Sequence, residues 1–208
     1  MRNGGRKQLS LALDGGSAGR VPGPAAATRE DLYFAVLPEP DAAIAAADLA
    51  DMLRVRYDLI GKPYPADRLH VSLNAVASTQ DLREDVVFAA MRAGSGVQQP
   101  PLTLTFDRLM SFGTGPNGAL VLRCEEGSTE LKRLHALLNG AMRDAGLYLL
   151  GKPNFTPHMT LMRGPNAIAE SLLEHPISWI VRDFVLIHSA VGRARHTHLE
   201  HWPLLSAD

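Results

Sequence analysis

The sequence predicts an α+β protein with two similar lobes facing each other, each contributing one histidine-bearing strand. Three observations support this. Strand-like and helix-like segments follow the order β-α-β-α-β-β-α-β-α-β-β. The order is quasi-duplicated, because a helix precedes each histidine-bearing strand and another follows it. The two strands share a pattern of His, apolar residue, hydroxyl residue and Leu, as "HVSL" at His70–Leu73 and "HMTL" at His158–Leu161.

Residues 1–28 are rich in Gly, Ala, Arg, Ser and Pro, and cannot bury enough apolar surface to offset their ordering entropy. A flexible leader is expected there, followed by one bilobal domain over 29–208. "DLYFAVLPEP" predicts a buried strand ended by Pro38 and Pro40. "DAAIAAADLADMLRVRYDL" predicts a helix with Asp41 near its N-terminus and Ile44, Leu49, Met52, Leu53 and Val55 along one side. "RLHVSLNAV" has strand character, and "TQDLREDVVFAAMRAG" reads as a helix stopping at Gly94.

After the break at "GSGVQQPP", "LTLTFDRLMSF" alternates as a strand with Leu102, Leu104 and Phe106 on one side. "GTGPNG" then reads as a hairpin connection into "ALVLRCE". "STELKRLHALLNGAMRDAG" predicts a helix capped at Ser128 and stopped at Gly146. "FTPHMTLMR" predicts a strand and "NAIAESLLEH" a short helix. "ISWIVRDFVLIHSAV" and "RHTHLEHWPL" predict a closing strand pair.

Composition narrows the function. Of 208 residues, 46% are apolar and 21% charged, with a formal net charge of −1. Broad binding to long nucleic acid needs a basic surface, whereas a short RNA end or a nucleotide needs only a few local cations. The lone Cys124 lies in an alternating apolar stretch and reads as a buried thiol; it excludes a disulfide within the chain and a cysteine-rich zinc site. No run of about 18 apolar residues exists, so no membrane span is expected. "LSLAL" is too short for the core of a signal peptide. A cytoplasmic monomer without an obligate protein partner is the default expectation.

On a strand, alternate side chains share a face. His70 and Ser72 therefore point one way, and Val71 and Leu73 the other. His158 and Thr160 likewise share a face, opposite Met159 and Leu161. The apolar members anchor each strand in its lobe, and the polar members face the groove. Two imidazoles across a groove suit hydrolysis of a phosphodiester, especially a cyclic one: one neutral ring takes a proton from water, and one protonated ring gives a proton to the departing ribose oxygen. The Ser72 and Thr160 hydroxyls are placed to donate to the non-bridging phosphate oxygens.

"HVSL" and "HMTL" resemble the paired motifs of the 2H phosphoesterase superfamily. The longer "NFTPHMTLMR" is similar to the second motif of its RNA 2′,3′-cyclic phosphodiesterase branch, which is also described as 2′-5′ RNA ligase-like. "DLYFAVLPEP" resembles that branch's first strand, and "FVLIHSAV" with "HLEHWPL" its ending. The resemblance implies a bilobal fold with two antiparallel sheets around a central cleft and helices outside. It also implies conversion of 2′,3′-cyclic phosphate ends of RNA or nucleotides to 2′-phosphates, without metal or cofactor. His70 and His158 match the catalytic positions; His70 is assigned as acid and His158 as base, an order the pseudo-symmetry allows to be reversed. Ser72, Thr160 and Arg163 match phosphate-binding positions. Tyr33 or Phe34 could border the cleft. A nucleotide- or RNA-end-binding module with little turnover would use the same pocket. RNA ligation, the reverse reaction, is expected as a side activity at most.

The remaining histidines read as bland. His196 and His198 share a strand face, and His201 falls on the other if the strand is regular; with no carboxylate or cysteine at suitable spacing, no metal site is expected. His135 and His175 read as structural, and His188 can face either cleft or core. Lys62 and Lys152, shortly before each motif, read first as solvated loop lysines that could approach the phosphate.

Overall fold

The strand nearest the N-terminus shows how the sheet divides its side chains. In β1 (Glu30–Val36), Leu32, Phe34 and Val36 are fully buried in the main core, while Tyr33 and Ala35 point to the opposite face. The computed structural model describes residues 29–113, 115–148, 150, 155–190 and 195–205. Among them β1 is followed by α1 (Pro40–Arg56), β2 (Val71–Thr79), α2 (Glu84–Ser95), β3 (Leu102–Phe112), β4 (Ala119–Cys124) and α3 (Ser128–Asp144). Then come β5 (His158–Arg163), β6 (Ser171–Val181), β7 (Asp183–Ala190) and β8 (Arg195–Pro203). The expected leader over 1–28 lies outside the described residues.

The α+β class holds. The strands run in the order β6-β3-β4-β5-β2-β1-β7-β8, and each neighbouring pair is antiparallel. One half, β6-β3-β4-β5, carries His158, and the other, β2-β1-β7-β8, carries His70 on the residue before β2. The halves meet at the pair Val71↔Met159. The helices pack on the face that buries Phe34, Phe106 and Phe184. Fully burying one such side chain is worth about 1.5–3 kcal/mol.

Four expectations need correction. The helix expected over "NAIAESLLEH" is absent: Ser171–Val181 form β6, paired along β3 from Leu102↔Val181 to Leu109↔Ser171. Long-range pairing overrides a helix-favouring composition, and Pro176 is tolerated because β6 is an edge strand. In α1 the large residues expected on the inner side are mostly outside. Ile44, Met52 and Val55 are exposed, and the buried stripe is Ala42, Ala43, Ala46, Ala50 and Leu53. Small side chains let the helix lie close on the sheet. The α2 helix runs past Gly94 to Ser95; a Cβ at Gly94 would overlap the indole of Trp202, so glycine there serves packing. In α3 the N-cap is Gly127, at φ 78°, and Ser128 is the first helical residue.

One other expectation is met. Cys124 is buried, and burial pushes its thiol up to about 11. Among the described residues no helix is long and apolar enough to cross a membrane.

Candidate active site

Each motif histidine is fixed by its own strand entry. His70 Nδ1 lies 2.9 Å from the Arg68 carbonyl, and His158 Nδ1 lies 2.8 Å from the Thr156 carbonyl. A carbonyl only accepts, so both Nδ1 atoms carry the proton, and both Nε2 atoms are left for chemistry. The same device, a carbonyl two residues earlier, recurs in the two halves. Ser72 Oγ lies 3.1 Å from His70 Nε2 and donates to it while the ring is neutral.

The register places the motifs together. Val71 pairs antiparallel with Met159, so His70 stands across from Thr160, and Ser72 across from His158. All four polar side chains share the face that carries Tyr33, whose ring lies 5.3 Å from the His70 ring. Phe34, the other cleft-border candidate, is fully buried. Phe112 packs 4.9 Å from the His158 ring. Burial holds both histidines below the ordinary histidine value. Arg68, His158 and His198 add repulsion at His70, as do Arg163 and Arg123 at His158. Arg163, exposed at the end of β5, thus acts on His158 electrostatically.

Two further arginines stand here that the sequence reading passed over. Arg123 is the register partner of His158 and shares its face, 3.9 Å from Glu170. Its signal was an arginine interrupting the apolar "ALVLRCE" run. Arg68 precedes the first motif, and its Nη2 lies 3.0 Å from His196 Nε2.

Behind the motifs, β2 is locked to α3. A bulge opposite Phe34 turns both Leu73 and Asn74 inward. Asn74 Nδ2 donates to Asn139 Oδ1 at 2.8 Å and to the His135 carbonyl at 3.1 Å. His135 Nδ1 donates to the Leu73 carbonyl at 3.1 Å, which fits its structural reading. A second clasp joins the loop before the first motif to the residues after the second. Asn166 accepts from Ile60 N–H through Oδ1 and donates to Ile60 O through Nδ2, each at 2.9 Å. At Gly61, with φ 128°, a Cβ would overlap the Arg163 carbonyl oxygen.

The other candidates are placed as follows. Lys62 is exposed and lines a cavity of about 450 Å³ with Asp51, Arg54 and Tyr64; Lys152 lies outside the described residues. His188 shares the face of Leu32 and Leu186, away from the motifs, 3.7 Å from Glu30. His175 is exposed on β6. His201 joins His198 on one face, ring centroids 5.6 Å apart, because a bulge at Leu199 shifts the strand's phase.

A family model, the 2′-5′ RNA ligase superfamily, matches residues 38–193. The chain belongs to that superfamily, the 2H phosphoesterases. Superfamily membership makes it an enzyme of the phosphoesterase or ligase type. The matched span holds both motifs and Arg68, Arg123 and Arg163. Among solved structures, the chain is similar to E. coli LigT complexed with 3′-AMP. Identity is 26% and the TM-score 0.67, covering 86% of this chain and 99% of LigT. TT0787 of Thermus thermophilus shares the fold at 21% identity and a TM-score of 0.68, covering 84% of this chain and 97% of that one. No match is found among curated proteins.

Proposed function

We propose that this 2H phosphoesterase hydrolyses 2′,3′-cyclic phosphate ends of RNA or nucleotides to 2′-phosphates by two-histidine acid/base catalysis. The observation that carries the reading is the matched pair of imidazoles. Each has Nδ1 pinned by a backbone carbonyl, on either side of Val71↔Met159, which leaves Nε2 for proton transfer, His70 Nε2 resting against the Ser72 hydroxyl. The resemblance to LigT, solved with 3′-AMP, supports a nucleotide phosphate as ligand.

In the proposed step, His158 Nε2 takes a proton from water, and the water oxygen bonds to phosphorus. The P–O3′ bond breaks, its electron pair leaves on O3′, and His70 Nε2–H gives O3′ a proton. The product has a 2′-phosphate and a free 3′-hydroxyl. Ser72 and Thr160 donate to the non-bridging oxygens, Ser72 releasing Nε2 as it does so, and Arg163 offsets charge on the phosphoryl group. Both proton transfers are supplied by the protein, so the reading needs no metal ion.

The test is incubation of 2′,3′-cyclic AMP and of an RNA oligomer ending in a cyclic phosphate, with chelator present, and phosphorus NMR of the products. A 2′-phosphate product insensitive to chelator is expected. A 3′-phosphate product, or binding of these substrates without turnover, overturns the reading.

A further inference from the structure

Among the described residues, Arg68 is a cation without an ion-pair partner. It is half-buried, and its Nε is buried with no hydrogen-bond partner among the described residues. Its Nη2 is 3.0 Å from His196 Nε2. A guanidinium only donates, so the imidazole accepts and is neutral. Burial, followed by the fields of Arg68 and His70, holds His196 down to about 4, so this acceptor persists at neutral pH. Among the described residues, no carboxylate ion-pairs with Arg68; Asp67 reaches His196 only as a weaker opposing field. The guanidinium lies over the ring of Tyr64, its carbon 5.3 Å from the ring centroid.

The position of this cation is set by the fold. His196 belongs to β8, the outermost strand of its half, and its ring centroid lies 5.7 Å from that of His70. Tyr33 packs beside both, its ring 5.3 Å from His70 and 6.4 Å from His196. Tethered to β8, the guanidinium sits on the flank of His70: its field acts on His70 and His196, whereas the cations whose fields act on His158 are Arg163 and Arg123. The anion it faces is therefore not the one gripped between the two Nε2 atoms.

We propose that Arg68, held by His196, forms a second phosphate subsite that takes the phosphodiester on the 5′ side of the terminal nucleotide. This rests on the phosphodiesterase reading and names its substrate class: RNA ends of two or more nucleotides rather than free cyclic mononucleotides. Arg68 binds the substrate, and His196 is a positioning residue that keeps the fork aimed.

The experiment compares kcat/KM for adenosine 2′,3′-cyclic phosphate with that for the dinucleotide ApA ending in a 2′,3′-cyclic phosphate. Wild-type enzyme, Arg68→Ala, His196→Gln and His196→Phe are assayed. Arg68→Ala should lower the dinucleotide-to-mononucleotide ratio by roughly tenfold to a hundredfold, the range of one charge-assisted hydrogen bond. The slope of log kcat/KM against log salt for the dinucleotide should fall by about 0.7, the share of one phosphate contact on a single strand. His196→Gln, which keeps an acceptor, should retain the ratio, and His196→Phe should lose part of it. Equal losses on both substrates, or an unchanged ratio and salt slope in Arg68→Ala, overturn the proposal. If the wild type turns over neither substrate, the phosphodiesterase reading fails by itself. Calorimetric binding of the 2′-phosphorylated dinucleotide against 2′-AMP then decides this one: a preference abolished by Arg68→Ala supports it, and no preference overturns it.

Discussion

Val71 and Met159, the middle residues of the two His-x-Ser/Thr motifs, are paired across the junction between the two halves of the sheet. Each is fully buried, and each holds its polar neighbours on the opposite face. The pair sets two histidines and two hydroxyls around one point and gives the proposed chemistry its geometry.

The hydroxyls should matter through donation, not bulk. Thr160→Val keeps shape and loses the donor; it should lower kcat about 10²–10³-fold, as loss of an oxyanion-hole donor does. Ser72→Ala should act similarly, and Ser72→Thr should stay near wild type. Steady-state kinetics on a cyclic nucleotide decides. Equal activity of Thr160→Val and wild type would remove Thr160 from the site.

The pH profiles of kcat/KM and kcat should differ. Burial and neighbouring cations hold both motif histidines below their ordinary value in the free enzyme, so the bell for kcat/KM should lie on the acidic side. A bound phosphodiester anion favours imidazolium and raises both values, so the bell for kcat should move to higher pH. Coincident bells, or a shift the other way, contradict this.

Stability should fall on mild acidification. His70, His135, His158, His196 and His198 are all held below the ordinary value, chiefly by burial, His196 down to about 4. The unfolded chain titrates its histidines near 6.5, so below about that pH it binds more protons than the folded one. The stability present above the unfolded value is lost as pH falls through this window. Calorimetry from pH 7.5 down to 5, above most carboxylate titration, should show a falling Tm; a flat or rising Tm contradicts the burial of these rings.

Asn166 should carry stability far from the chemistry. Asn166→Ala strands the Ile60 N–H and carbonyl it now satisfies. The cost should be about 2 kcal/mol, or about 4–8 °C in Tm. Thermal melts check this, and an unchanged Tm means the clasp is dispensable.

The sequence displayed the candidate site better than its surroundings, for physical reasons. Strand alternation is local, so His70 with Ser72 and His158 with Thr160 were readable from four residues each. The pairing of Val71 with Met159 joins distant segments, and no local pattern announces it. The Ala stripe of α1 was missed because hydrophobicity marks large residues, whereas close helix-to-sheet packing selected small ones. In β6 a helix-favouring run was overridden by pairing to β3, and Pro176 was the available warning. The bulge at Leu199 moved His201 across the strand. Arg68 and Arg123 look in sequence like any solvated arginine; only the bond of Arg68 to His196 and the register partner of Arg123 place them beside the histidines.

The central claim is that His70 and His158 divide the proton work. Its most direct test is the pH profile of kcat/KM for a cyclic phosphate substrate, with chelator present, for wild type, His70→Ala and His158→Ala. A bell is expected for the wild type, with residual activity about 10²–10⁴-fold lower in each variant. His158→Ala should lose the acidic limb and His70→Ala the alkaline limb, the limbs exchanging if the roles are reversed. A full bell at near-wild-type activity in either variant would contradict the account.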